Sequence, residues 1–237
     1  MRIRGRAGRA VAAVLAATVL ASAVASCAKL VGGTAVYTAG DSNPRSAPVR
    51  VSDLQSLVLS ADDLRAMFHA PDLAPLNVPA VRSLPADVIS DPSCGAVVQT
   101  GWLATYAASG HLGDSGLVVQ DAHDDYVTET VASFSDPAAA QGFVGAVIAQ
   151  WKACVERSVT LTAQGSTANW MGFGPSRADG VDVLLVRREG GRGAACSRAI
   201  GSGSNVTADV DVCGPDETVV NDNAAGLVTA ILSRIPG

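Results

Sequence analysis

One stretch constrains this chain more than any other, Ser135 to Cys154, SDPAAAQGFVGAVIAQWKAC. Asp136 and Pro137 predict a helix start: a carboxylate caps the first free N–H groups, and proline follows at the first helical position. Phe143, Val144, Val147, Ile148, Trp151 and Cys154 then recur at helical spacing, so one face is apolar and has to pack on something. Just before it, Tyr126 to Phe134 (YVTETVASF) alternates as a half-buried strand does. Strand, cap, helix and a terminal cysteine form one unit. It speaks to architecture and says little about chemistry.

The N-terminus carries the most specific signal. Arg2, Arg4, Arg6 and Arg9 precede an apolar run from Ala10 to Ala21, and small residues lead into Val24-Ala25-Ser26-Cys27. This pattern predicts a secretory signal peptide over residues 1–26. Its end resembles a bacterial lipobox, in which the Cys27 thiol accepts a diacylglyceryl group before cleavage. The apolar run is too short for a transmembrane anchor. Two or three acyl chains hold a protein stably where one is marginal. The expectation is an exported lipoprotein held at the outer face of the cell membrane, with the membrane as its partner through Cys27. The first 26 residues hold four arginines and no acid, so the formal charge of −5 becomes −9 without them. An acidic chain of this kind excludes nonspecific nucleic-acid binding, which needs clustered Lys and Arg.

An exported compartment permits disulfides, and four cysteines remain after Cys27: Cys94, Cys154, Cys196 and Cys213. Three connectivities are possible. Cys196 and Cys213 flank a predicted hairpin and are paired on that ground, leaving Cys94 with Cys154. Without a C-x-x-C spacing or a nearby histidine, a zinc site is not expected. No glycine-rich phosphate loop follows a strand, so no cofactor is expected either.

Residues 27–51 contain Gly32-Gly33, Gly40, Pro44 and Pro48 without a sustained period and read as a lipidated cysteine and flexible tether. Ser60 to Asp63 resembles a capping box ahead of a short helix with Leu64, Met67 and Phe68 on its apolar face. Prolines at 71, 75, 79, 85 and 92 predict sparse regular structure, and Cys94 opens a helical turn. Leu117–Gln120, Val159–Thr162 and Val181–Val186 read as strands. In Asn205–Val212, Val206, Ala208, Val210 and Val212 face one way and Thr207, Asp209 and Asp211 the other, which predicts one buried and one wet sheet face. Gly201 to Ser204 is the expected turn before it, and Asn205-Val206-Thr207 reads as a strand start, not a glycosylation site. A last helix is predicted over about residues 219–234. This order predicts an α+β domain, an antiparallel sheet with helices on one side.

The order of landmarks resembles the extracellular sensor domain of mycobacterial PknH-type receptor kinases, a module also found in stand-alone exported lipoproteins. The residues that carry the resemblance are Leu57 to Leu64 (LVLSADDL), Asp91-Pro92-Ser93-Cys94, Tyr106 with Gly110, Phe134 with Asp136 and Ala138 to Ala140, Trp151-Lys152-Ala153-Cys154, Trp170, Ala199-Ile200 and Asn205-Val206. They span residues 52–237. The resemblance implies a central antiparallel sheet with helices packed around it, two disulfides matching the pairing above, and a cleft for an unidentified ligand. In this sequence neither a kinase domain nor a transmembrane helix precedes the module, so a stand-alone role is expected in place of direct phosphorelay.

Catalysis is not expected. Gly113-Asp114-Ser115-Gly116 is a string of trypsin-like proteases, but His69 is the only histidine well upstream, and MFHAPDL is not the setting of their catalytic base. The string reads as a turn. Asp121, His123, Asp124 and Asp125 read as a solvated acidic turn, not a metal site. For a ligand cleft the candidates are Trp102, Tyr106, Tyr126 and Trp170, with Trp151 assigned to the core. The expected function is non-catalytic binding of a small molecule, lipid or cell-wall component. An envelope hydrolase or a scaffold is the alternative.

Overall fold

The computed structural model describes residues 47–84, 88–123, 125–163, 165–178, 180–190 and 195–236. The signal peptide, Cys27 and most of the tether lie outside the described residues. The sheet is built outward from the alternating strand read in the sequence, β9 (Val206–Gly214), which is central. It pairs with β3 (Tyr126–Ser133) on one side and β8 (Ala195–Gly203) on the other, both antiparallel. Beyond β3 lie β2 (Gly113–Gln120) and the two-residue β1 (Ala74–Pro75). Beyond β8 lie β7 (Val181–Arg188), β5 (Ser166–Gly172) and β4 (Ser158–Ala163), with the short β6 (Ser176–Ala178) also pairing with β7.

Helices cover both faces, as the family resemblance implies and in correction of the helices on one side expected from the order of elements. Val206, Ala208, Val210 and Val212 face α5 (Glu217–Ser233), whose Ala224, Leu227, Val228 and Ile231 are fully buried. Close approach explains the glycines expected to form the turn: a Cβ on Gly201 would sit 2.9 Å from Val228, so Gly201 and Gly203 lie inside β8 against α5. The turn itself is Ser204-Asn205, with Ser204 at φ 50°. α1 (Ala61–Phe68) packs on the same face behind a complete capping box, Asp63 N–H to Ser60 Oγ at 3.1 Å and Ser60 N–H to Asp63 Oδ2 at 2.9 Å. α4 (Pro137–Cys154) takes the other face, capped by Asp136, with Phe143, Val147, Trp151 and Cys154 buried as the spacing predicts. With it pack α2 (Gly95–Val98) and Tyr106 of α3 (Leu103–Ala107).

Both disulfides are formed as expected. Cys94–Cys154 ties the proline-rich segment to the end of α4, and Cys196–Cys213 staples β8 to β9 at directly opposed positions. Gly113 to Gly116 is the start of β2 and not a turn, because it continues the pairing with β3 as far as Ser133. The packed chain begins inside the expected tether: the Asn205 side chain accepts from Val49 N–H at 2.8 Å and donates to Val49 O at 3.0 Å and Phe134 O at 2.9 Å. Asn205 is buried by these bonds.

Two predictions follow from the packing. Chain entropy gives about 3 kcal/mol for a loop the size of that closed by Cys196–Cys213, and about 4 kcal/mol for the longer Cys94–Cys154 loop. Cys154→Ser is therefore expected to lower the denaturation midpoint more than Cys213→Ser, and the opposite order would contradict it. The second concerns Glu129, fully buried on the α5 side, where Oε2 accepts only Leu59 N–H, at 3.2 Å. Burial raises its pKa from 4.5 to about 8, against small opposing effects of that N–H and of Arg234. The folded state then holds a proton that the unfolded chain has lost. Its contribution to stability is full below about pH 4.5 and is lost as pH rises through about 8. Glu129→Gln should gain on the parent protein by on the order of 2–4 kcal/mol between pH 5 and pH 8 in urea titrations. A constant difference would refute the assignment.

Candidate functional site

The second face of β9 holds Thr207, Asp209 and Asp211, which the alternation assigned to water. All three are buried, at most 5 % exposed. A strap of chain made of residues 80–84 and 88–107, together with α4, covers them. Carboxylates under such a cover need partners, and Asp209 has three donors around it. Arg198 Nη2 donates to Oδ1 at 2.8 Å, while Gly101 N–H and the Tyr106 hydroxyl donate to Oδ2 at 3.2 and 3.1 Å. Gly101 can aim its amide there because it adopts φ 62°, with Ala80 O too close to admit a side chain. The Arg198 guanidinium lies over the Trp151 ring and also donates to the carbonyls of Ala96 and Val210. Trp151 Nε1 donates to that same Ala96 carbonyl at 2.9 Å. Burial, with the Asp209 carboxylate beside it, pushes the Tyr106 phenol well above its ordinary pKa, so it stays a donor.

Where α2 ends at Val98, the cover stops and the sheet opens into a cleft of about 760 Å³. Val97, Val98, Leu161, Val186 and Trp170 form an apolar wall; Gln120, His123, Asp125 and Tyr126 form a polar one. Asp211 and the Cys196–Cys213 disulfide lie between the two walls, and Arg188 stands at the rim. Tyr126 is held in place by Arg82, whose Nη2 donates to its hydroxyl at 2.6 Å. Cys196, Asp211 and Cys213 bring three atoms of metal-ligating type together, but both sulfurs are bonded to each other and have no thiolate to offer. A second hollow of about 650 Å³ lies at the opposite end of the β8–β9 hairpin. Its one acid, Asp136, caps α4.

Of the four aromatic candidates, the structure brings Tyr126 and Trp170 to the cleft and removes the other two. Trp102 and Tyr106 are buried beside Phe134 and Phe143 under the strap, because α3 turns their rings inward against α4. Ser115 Oγ donates to Gln55 Oε1 at 2.7 Å. His111 Nε2 lies 3.3 Å from Asp114. Of the acidic turn, Asp121 accepts from the His123 and Asp125 N–H groups as a local loop brace, and Asp124 lies outside the described residues.

A family model described as PknH-like extracellular domain matches residues 49–234. The chain belongs to this family. It is 27% identical over 207 residues to the serine/threonine-protein kinase PknH of Mycobacterium bovis, covering 85% of this chain and 34% of the kinase. It is 24% identical over 198 residues to the kinase PknJ of the same organism, covering 78% of this chain and 33% of that protein. The chain thus spans about a third of the curated kinases it matches. The crystal structure of the extracellular domain of PknH from Mycobacterium tuberculosis superposes with a TM-score of 0.71 at 25% identity, over 80% of this chain and 98% of that one. The α+β fold is that of the PknH extracellular domain.

Within this PknH-like domain, the residues that sequence reasoning missed are Asp211, Arg188 and the aliphatic wall. Asp211 stood in plain view as one tooth of an alternating strand, and only the end of the cover at Val98 separates it from Asp209. Removing one partner of a buried ion pair leaves the other charge uncompensated and costs about 3–5 kcal/mol. Asp209→Ala should therefore unfold at markedly lower urea, and Arg198→Met with Asp209→Leu should recover most of the loss. A single variant within about 1 kcal/mol of the parent would show that the pair is not what holds the strap.

Proposed function

We propose that this protein is an exported, lipid-anchored, non-catalytic sensor that binds a small molecule, lipid or cell-wall component in the cleft between Tyr126 and Trp170. One observation carries the reading: a cleft of about 760 Å³ with an apolar wall, a few convergent polar groups and a buried carboxyl is the form that small-molecule sites take. Membership in a family of extracellular domains supports export, and the Cys27 lipobox supports the anchor. The side chains around Ser115 support binding over hydrolysis, since its hydroxyl donates to Gln55 and His111 is turned to Asp114. Its walls are set by β-strands and a disulfide, so it is formed before a ligand arrives.

Native mass spectrometry of detergent-extracted protein from its own cell tests both halves. A small molecule is expected to accompany the parent protein and to be lost from the Tyr126→Ala, Trp170→Ala double variant. Equal retention by the variant would place the ligand elsewhere. Cys27→Ala is expected to leave the chain unprocessed or soluble, and a correctly cleaved variant still on the membrane would refute lipidation.

A further inference from the structure

Among the described residues, Asp211 is the one acid of the cleft that is both deeply buried and without a donor. It is 5 % exposed, and the polar contact of its Oδ1 among the described residues is with the Cys213 sulfur at 3.9 Å, which has no proton to give once it is in a disulfide. The cations near it are engaged. Arg198 directs its N–H groups to Asp209 and two carbonyls, and Arg82 to Tyr126 and the Pro79 carbonyl. Arg188 is exposed at the rim, where solvent screens it. A second carboxyl joins the cleft at its mouth: a Cβ built on Gly214 would lie 3.2 Å from Asp125 Oδ1. The cleft therefore presents unmet acceptors beside an apolar wall and two aromatic rings, Tyr126 and Trp170, whose faces favour cations.

We propose that the cleft takes a ligand with a protonated amine on an apolar body, the ammonium seated against Asp211 under the field of Asp125, and the body against Val97, Val98, Leu161 and Trp170. This rests on the cleft being the ligand site. An ammonium supplies the charge-assisted hydrogen bonds that a buried carboxylate lacks. A hydroxyl-bearing ligand would supply a donor without the charge.

The two are told apart by a proton. Burial raises the Asp211 pKa to about 7; Arg198 pulls it down, Asp209 pushes it up and Arg82 pulls it down. Desolvation and Asp121 raise Asp125, with His123 opposing. Below neutrality the amine has to displace the Asp211 proton, so its affinity rises with pH, while an alcohol gains nothing.

The test is a protein-observed NMR titration of the full chain carrying Cys27→Ala, with 3-phenylpropylamine, 3-phenylpropanol and 3-phenylpropanoate, which share one apolar body. The amine is expected to bind tightest and to shift the amides around Val98, Tyr126 and Asp211. It should bind about tenfold more tightly at pH 8 than at pH 6, the ratio set by ionising one carboxyl with a midpoint near 7. Asp211→Asn should abolish both the amine preference and the pH slope. If that variant does not fold, Asp125→Asn, expected to weaken the amine alone, and the slope of the unsubstituted cleft decide the matter. Alcohol or propanoate binding as tightly as the amine, or an amine affinity unchanged with pH, overturns the ammonium assignment and leaves the cleft as a ligand site. No shift of cleft amides with any of the three overturns both.

Discussion

The ion pair between Arg198 and Asp209 lies under a helix, a tryptophan and a strap of chain, where neither charge meets water. Each side chain sits on the central hairpin, yet apart from the Arg198 bond to Val210 O their other bonds leave it. Asp209 reaches Gly101 and Tyr106, and Arg198 reaches Ala96. The pair is thus the contact by which the sheet recognises the segment before β2, a proline-rich stretch with little apolar period of its own. Hydrophobic burial is non-directional and would accept that segment in many registers. A charged pair with four directed hydrogen-bond partners accepts far fewer, and the cleft owes its edge to where the strap stops.

Much of this was legible because it rests on short-range rules. The Asp136 cap, the apolar stripe from Phe143 to Cys154, the Ser60 capping box and the hairpin that pairs Cys196 with Cys213 are each set within about twenty residues. The second face of the sheet was not. Alternation reports that Thr207, Asp209 and Asp211 differ from Val206, Ala208 and Val210, and polarity was taken for exposure. What buries them is α4 and a strap whose Gly101 lies 108 residues from Asp209, joined by bonds that no periodicity announces. The same gap separates Trp102 and Tyr106 from Tyr126 and Trp170. The four are alike in sequence, and only the direction of α3 puts two of them in the core.

The division of β9 by its cover gives one strand two chemical lives. Asp209, beneath the strap, is fully hydrogen-bonded and holds the fold together. Asp211, two residues on and on the same face, emerges past Val98 and lines the cleft. Between them the dielectric surroundings barely change, so the difference is in partners and not in burial. A family that keeps the strap and varies the residues beyond its edge can alter what the cleft accepts without disturbing the sheet.

The Asn205 side chain grips Val49 at one end of the β8–β9 hairpin, and the cleft lies at the other, about 25–30 Å away at the rise of a β-strand. Any tension on the N-terminal chain therefore arrives at the turn of the central hairpin. There it enters β8 and β9 together, and the ladders that hold this hairpin to β3 and β7 lie along the line of pull. The Cys196–Cys213 bond closes the far end of the hairpin covalently. A pull at Val49 would meet the centre of the sheet end-on, at the end of the hairpin remote from the cleft.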